Sequence, residues 1–205
     1  MSTIDISLTT LIDFVGKSGT PRLTCVREAR ARYDEDYHPA KDYWRGLRTA
    51  VVDAHRPGGD IADLASLPRQ VAKSRAELYA QGVVGYRKFL GRKSINWFEP
   101  QAGDWIAHGL RVRLNPELGL VIDGVPRHVK LYLKQEPALR RATVQPLLYL
   151  LGLVPPGAHG ATPLVVDVQR GNSYAPDAKT PSVGPLLAGE AAAFTAMWRD
   201  LDRAA

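Results

Sequence analysis

The chain has 205 residues, 45% of them hydrophobic and 23% charged, which is enough apolar material to bury a core and argues against a disordered chain. Its single cysteine, Cys25, excludes an intramolecular disulfide and a cysteine-based zinc site. The formal charge of +6 and the pI near 9.5 make polyanions the expected partners, with nucleic acid first among them.

Neither an export signal nor a membrane span is predicted. The start of the chain, from Met1 to Leu8, has no basic segment and no sustained apolar stretch. The longest apolar run, residues 147–154, is shorter than the ~20 residues that a bilayer crossing needs. We therefore expect a cytoplasmic protein.

Apolar residues at helical spacing predict an N-terminal helical region in residues 1–67. Thr20 followed by Pro21 is typical of a helix start, and the glycines after Arg56 are typical of a turn. The predicted helices cover about residues 7–15, 20–33, 39–55, 61–65 (a short turn) and 68–90.

The composition changes after Gly91, where strand patterns begin. Asp123-Gly124 predicts a two-residue hairpin, and Asn115-Pro116 predicts a turn. The predicted strands cover residues 95–98 with a possible continuation over 104–109, then 110–114, 118–122, 127–134 and 164–168. Helices are predicted at 137–151 and 185–202. We thus predict an α+β fold in which residues 68–205 hold a helix-strand-strand-strand-helix-strand core built on a β-meander, followed by a C-terminal helix.

This order of elements resembles the core of the PD-(D/E)XK nuclease-like superfamily. The residues that carry the resemblance are Pro116-Glu117, Tyr132-Leu133-Lys134 and Gln145-x-x-x-Tyr149. The resemblance implies that a carboxylate on the second strand, and an acidic residue and a lysine on the third, hold Mg²⁺ and activate water. It also implies that the Gln145 and Tyr149 pair lies over the site from the following helix.

On this resemblance the catalytic candidates are Glu117, Lys130, Lys134, Gln145 and Tyr149. Glu117 and Asp123 are the metal-ligand candidates, and Glu136 lies just beyond the third strand.

The sequence departs from the pattern at the third strand. Tyr132 stands where the family has Asp or Glu before the lysine, and taking Lys130 as the lysine puts His128 there instead. The expected function is therefore a nucleic-acid-binding protein with a nuclease-like, degenerate site, and any remaining activity would be metal-dependent phosphodiester hydrolysis.

Basic residues on the predicted strands are the candidates for phosphate contacts. If the strands are adjacent, Arg111 and Arg113 join Lys130 and Lys134 in one positive surface, to which Arg170 adds a fifth cation. The simpler alternative is the solvated face of a one-sided antiparallel sheet. In the same simpler interpretation, Glu117 and Asp123 belong to turns, and Gln145 and Tyr149 belong to the boundary of a packed helix.

Two other function classes stay open. A non-enzymatic interaction or regulatory subunit would use the aromatic residues Tyr37, Tyr43, Trp44 and Trp198. A small-molecule enzyme or binding protein would have its pocket between the sheet and the N-terminal helices, with Asp167, Arg170, His128 and Tyr132 as its candidate groups. Asp167 lies in an apolar strand and must be paired or functional, with Arg170 or a lysine from the neighbouring strand as the expected partner.

Overall fold

The computed structural model describes residues 3–34 and 42–203. Within these ranges seven α-helices are present: α1 Leu8–Val15, α2 Thr20–Asp34, α3 Arg45–His55, α4 Leu67–Gln70, α5 Lys73–Leu90, α6 Arg141–Leu151 and α7 Gly184–Arg203. The strands are β1 Ile4–Ser7, β2 Ile95–Phe98, β3 Gly103–Ala107, β4 Leu110–Leu114, β5 Leu118–Ile122, β6 Val125–Tyr132, β7 Thr162–Asp167 and β8 Asn172–Tyr174. The predicted α+β class with a C-terminal helix is confirmed.

The helix predictions were right about location and less so about length. The third helix begins at Arg45, and the predicted positions 39–41 lie outside the described residues, as do Tyr37 and His38. The predicted helix over 68–90 is two helices, because Val71 is extended and separates α4 from α5. The element before α4, Ile61–Ser66, is a 3₁₀ helix. It is capped by the Asp60 carboxylate, which accepts a hydrogen bond from the Ala62 N–H at 2.8 Å.

Five strands form the larger sheet, in the order β2-β5-β6-β7-β8. The β2, β5 and β6 strands are antiparallel neighbours, whereas β7 runs parallel to β6. The parallel step needs a crossover, which α6 supplies. Asp123 and Gly124, with φ of 49° and 83°, close the β5–β6 hairpin, because a type I′ turn requires two left-handed residues.

The smaller sheet has the order β1-β4-β3 and corrects the predicted meander. The residues predicted to continue β2 form β3, which turns at His108-Gly109 into β4. The parallel partner of β4 is β1, a strand that was not predicted. Therefore β4 is not beside β5, and the meander of the larger sheet is β2-β5-β6 with the β3–β4 hairpin inserted after its first strand.

Two clusters of buried apolar residues make the core. One joins α1, α2, α6 and α7 with β1 and β4, and the other joins α3 and α5 with alternate residues of β5, β6 and β7. Val165 belongs to the first cluster while Leu164 and Val166 belong to the second, so the larger sheet is covered on both faces. The predicted boundary at residue 67 stays a prediction.

Cys25 is buried on α2 in the first cluster, and burial raises the pKa of its thiol. Across residues 3–34 and 42–203, none of the helices combines the length and the apolar character that crossing a membrane would require.

Candidate functional site

Glu117 and Lys130 form an ion pair between the neighbouring strands β5 and β6. Leu118 is registered with Val129, which puts Glu117 opposite Lys130 just before β5 begins. Lys130 Nζ donates to Glu117 Oε1 at 2.6 Å and to the Asn115 carbonyl at 2.9 Å. Both side chains are largely buried, with 13% and 12% of their surfaces exposed. The structure therefore brings the second-strand carboxylate and a third-strand lysine into direct contact.

Glu117 also continues the β5–β6 ladder. Its N–H donates to the Val129 carbonyl at 2.9 Å, and its Oε2 accepts from the Leu131 N–H at 2.9 Å. The carboxylate thus takes the place of a strand carbonyl just before β5 begins. Both oxygens of Glu117 are engaged with protein donors.

Glu117 and Asp123, the two predicted metal-ligand candidates, are not brought together by the fold. These residues flank the two ends of β5, and at about 3.3 Å per residue they are roughly 20 Å apart. Asp123 serves the hairpin instead, since its Oδ1 accepts from the Ser94 N–H at 2.9 Å and its own N–H donates to the Ser94 carbonyl at 2.9 Å. Among residues 3–34 and 42–203, no three His, Cys, Asp or Glu side chains are grouped so as to hold a metal ion.

The predicted single basic surface is wrong. Arg111 and Arg113 lie on β4 of the smaller sheet, whereas Lys130 lies on β6 of the larger one and Lys134 just after it. Because the two pairs are in different sheets, they cannot form one face of adjacent strands.

Four of the five predicted phosphate-binding cations already contact carboxylates. Arg111 pairs with Asp5, Lys130 with Glu117, and Lys134 with Asp13 at 2.6 Å. Arg170 pairs with Glu136 at 3.0 Å and with Asp167 at 3.4 Å. Arg113 is the exposed member of the set. A phosphate at any of the four paired cations would have to displace a carboxylate. These pairings therefore disfavour phosphate contacts by this set, which stay a prediction.

Gln145 and Tyr149 share a face of α6, but their contacts lie with the segment before α7. The buried Gln145 side chain donates to Asp177 Oδ2 at 3.0 Å and accepts from the Thr180 hydroxyl at 2.6 Å. The phenol of Tyr149 packs against Gly184, where an added Cβ would come within 2.8 Å of the hydroxyl. These contacts match the packed-helix alternative, and a role over the Glu117–Lys130 pair stays a prediction.

A second polar cluster lies where the parallel strands β6 and β7 end. Tyr132 is registered with Asp167, which is fully buried and pairs with Arg170, one of the two kinds of partner expected from the sequence. Burial raises the pKa of Asp167 in spite of Arg170. Burial and the charges of Asp13 and Asp167 raise the pKa of Tyr132 to about 12, so its phenol is a hydrogen-bond donor at neutral pH and reaches the Pro137 carbonyl at 2.5 Å. The charged groups around Tyr132 pair with one another: Lys134 with Asp13, and Arg170 with Glu136 and Asp167. Three carboxylates against two cations do not favour an anionic ligand.

Tyr43, Trp44 and Trp198, three of the four aromatic residues proposed as a partner surface, are partly buried against other aromatic side chains, and Tyr37 lies outside the described residues. Trp44 stacks on Tyr79 with ring centroids 6.0 Å apart, and Tyr79 donates its hydroxyl to the Tyr43 carbonyl at 2.7 Å. Trp198 lies against Phe194, 5.9 Å between centroids. Likewise His128, a candidate for a small-molecule site, is 1% exposed and its pKa is lowered by burial.

A groove of about 530 Å³ lies between α3, the 3₁₀ helix, α5 and β2, and none of the described residues named as candidates from the sequence lines it. We call it the Trp97 groove; its lining is Ala54, His55, Gly59, Asp60, Ile61, Arg87, Leu90, Gly91, Lys93, Ile95 and Trp97. Arg56 lies over the Trp97 ring at 5.9 Å from its centroid. In the sequence, this groove is indicated by the run of basic residues at the end of α5, which a tryptophan closely follows. Basic and aromatic residues together are typical of nucleic-acid-binding surfaces.

His55 contributes no charge to the Trp97 groove at neutral pH. Burial lowers its pKa from 6.5 to about 4. Its Nε2 is 2.7 Å from the hydroxyl of Tyr86, which is itself fully buried. The positive charge at the groove therefore comes from arginine and lysine side chains alone.

Comparisons of this chain with protein-family models, with curated proteins and with solved structures found no match, so no relative assigns a function to the Glu117–Lys130 pair or to the Trp97 groove.

Proposed function

We propose that this protein binds nucleic acid and is built on a nuclease-like core whose catalytic metal site is degenerate. The observation that carries the proposal is the arrangement of the larger sheet around Glu117 and Lys130. Helix α5, the antiparallel strands β2, β5 and β6, the crossover helix α6 and the parallel strand β7 follow one another in the order of elements expected from the resemblance. The inserted β3–β4 hairpin leaves that order intact.

The positions of the two polar residues support the same proposal. A carboxylate at the start of the second strand of the meander and a lysine on the third are the expected places for the metal ligand and the catalytic cation, and Glu117 and Lys130 are in contact there. The chemistry of Mg²⁺-dependent hydrolysis needs further oxygen ligands. On β6 the adjoining positions of the same face hold His128 and Tyr132, and Lys130 neutralises the one carboxylate that is present. We therefore expect binding without hydrolysis.

The charge of the chain supports binding to a polyanion. The formal net charge is +6, and several exposed cations near the end of α5, including Arg87 and Arg92, have no carboxylate partner among the described residues. Cations that are not already paired can release counterions from a phosphate backbone, and this release drives nonspecific binding.

The test is an equilibrium titration of fluorescein-labelled single-stranded and duplex DNA and RNA at several salt concentrations. We expect binding at low salt that weakens as salt rises, with a slope of log K against log salt of about −0.7 per phosphate contact for single strands. The same samples incubated with Mg²⁺ or Mn²⁺ should yield no cleavage products. Absence of binding at low salt, or binding that does not depend on salt, would refute the proposed function; metal-dependent cleavage abolished by Glu117→Gln would refute the degenerate site.

A further inference from the structure

The Trp97 groove has the size and position of a binding site for one nucleotide unit. Its volume of about 530 Å³ is within the roughly 300–1,000 Å³ typical of small-molecule sites. It lies beside β2, the edge strand of the larger sheet, and between the C-terminal ends of α3 and α5. Trp97 is registered with Leu120 and packs against the second apolar cluster. Alternation along the strands puts Glu117 and Lys130 on the opposite face of the larger sheet, so the groove is separate from the nuclease-like site.

The charges at the groove favour a phosphate. Arg87 and Lys93 line it, and Arg92 is an exposed neighbour. None of the three contacts a carboxylate among residues 3–34 and 42–203. This distinguishes them from the ion-paired cations at Lys130, Lys134 and Arg170.

The carboxylates near the groove are occupied by their own neighbours. Asp60 lines the groove, but its Oδ1 caps the 3₁₀ helix through the Ala62 N–H at 2.8 Å. Asp53 is exposed and lies 3.4 Å from Arg56, a contact that contributes little in water. Because the cap leaves Asp60 its charge, the balance is decided by number: two cations, Arg87 and Lys93, line the groove against the one carboxylate of Asp60, so the formal charge of the lining is positive.

Trp97 adds a surface for a base. Its indole is partly exposed and lines the groove, and the exposed guanidinium of Arg56 is 5.9 Å from the ring centroid. Unpaired bases stack on aromatic rings and on arginine planes, and each base has such a face whatever its sequence. Arg87 and Lys93 contact no carboxylate in the described part of the chain, although the Lys93 ammonium donates to the Phe89 carbonyl and lies 4.9 Å from the centroid of the Phe89 ring. A single strand can place a base on the ring of Trp97 and a phosphate at these cations, whereas a duplex keeps its bases inside.

We infer that the Trp97 groove binds a nucleobase and its adjoining phosphate, with the base on Trp97 and the phosphate at Arg87 and Lys93. The inference rests on the nucleic-acid binding proposed above and names where a single strand is held. Both a single-stranded segment and a free nucleotide carry this chemistry, and the two are separated below by competition.

The experiment measures the Kd of a fluorescein-labelled dT₁₂ for the full chain and for four variants. Stacking on one aromatic ring predicts that Trp97→Ala raises Kd about 5- to 150-fold, whereas Trp97→Phe keeps most of the affinity. Arg87→Glu should weaken binding and make the salt slope shallower. The control is Lys73→Glu, an exposed charge change on the same helix, 14 residues and thus roughly 21 Å from Arg87, which should change Kd much less.

The outcomes separate the two proposals. If the unaltered protein binds dT₁₂ but Trp97→Ala and Arg87→Glu both bind as tightly as Lys73→Glu, the groove assignment is overturned while nucleic-acid binding stands. If the unaltered protein binds no oligonucleotide at low salt, both fail. Thermal melting followed by circular dichroism identifies a variant that does not fold, and the exposed Arg87→Glu then decides alone.

Thymidine monophosphate added to the dT₁₂ complex distinguishes the two sources of the ligand. Displacement that depends on Trp97 assigns the groove to free nucleotides as well, and its absence, with dT₁₂ binding still sensitive to Trp97, assigns it to strands. Equal affinity for dT₁₂ and its duplex with dA₁₂, unaffected by Trp97→Ala, would contradict the inference.

Discussion

Removing the charge of Glu117 tests whether its pair with Lys130 stabilises the fold. The two charged groups are 2.6 Å apart with only 12–13% of their side-chain surfaces exposed. Breaking one side of a fully buried pair costs about 3–5 kcal/mol, and an exposed pair is worth about 0–1 kcal/mol. At this burial we expect Glu117→Gln to lower the free energy of unfolding by about 2–3 kcal/mol.

Two further variants separate the two contributions to that loss of stability, the hydrogen bond to Leu131 and the unpaired charge of Lys130. Glu117→Ala also leaves the Leu131 N–H without the acceptor that it has at 2.9 Å, so it should cost about 1 kcal/mol more than Glu117→Gln. The double variant Glu117→Gln/Lys130→Met leaves no unpaired charge. It should therefore be more stable than the sum of the single losses predicts, by a coupling energy of at least about 1 kcal/mol.

The assay is urea unfolding followed by far-ultraviolet circular dichroism at pH 7, fitted for each member of the cycle with a common m-value. The matched control is the cycle of Asp53 and Arg56, whose side chains are 57% and 52% exposed and 3.4 Å apart. Its coupling should stay below about 0.5 kcal/mol. A Glu117–Lys130 coupling no larger than the control would refute the structural role, and single variants more stable than the parent would mark the pair as one kept for function at the expense of stability.

Three other predictions concern a pair of helical glycines and two titratable groups whose pKa values burial shifts. Gly85→Ala should destabilise the protein by about 1–3 kcal/mol, because the added Cβ would lie 2.1 Å from the Val168 carbonyl oxygen. Gly189→Ala should stabilise it by up to about 1 kcal/mol, because Gly189 is a helical glycine with no atom within 4 Å of the added Cβ. Thermal melts that give the two variants equal stability would contradict this. Burial lowers the pKa of His55 from 6.5 to about 4, so stability should fall as the pH drops through that window, and His55→Asn should flatten the fall in denaturant titrations. Burial raises the pKa of Asp167 above 3.8, so the free energy of unfolding should decrease as the pH rises from 3.8 through the raised pKa. Asp167→Asn should therefore become more stable relative to the parent over the same range. A stability difference between the two proteins that does not change with pH would disprove this.

Several elements of the fold follow from local patterns that need no partner to be recognised. The β5 strand begins and ends at the predicted residues, and Asp123-Gly124 forms its hairpin because the turn type is set by the two residues that adopt it. The pairing of Asp167 with Arg170 was foreseeable for the same reason, since the residues are three apart.

The candidate site was less predictable because its contacts are distant in sequence. Local spacing indicated a carboxylate and a lysine, but Lys130 rather than Lys134 contacts Glu117, since only the β5–β6 register decides which lysine lies opposite. Lys134 is instead neutralised by Asp13, 121 positions away.

The sequence by itself determined an α+β protein, the order of its core elements and its excess of positive charge, because alternation, turn residues and composition are local or additive properties. Tertiary structure decided which strands are neighbours and which charges remain free. The β4 strand has the same alternation whichever sheet it joins, and only its pairing with β1 removed Arg111 and Arg113 from the basic surface predicted for them. The Trp97 groove likewise exists only because α3, α5 and β2 meet, and this meeting depends on side-chain packing between segments that no local pattern connects.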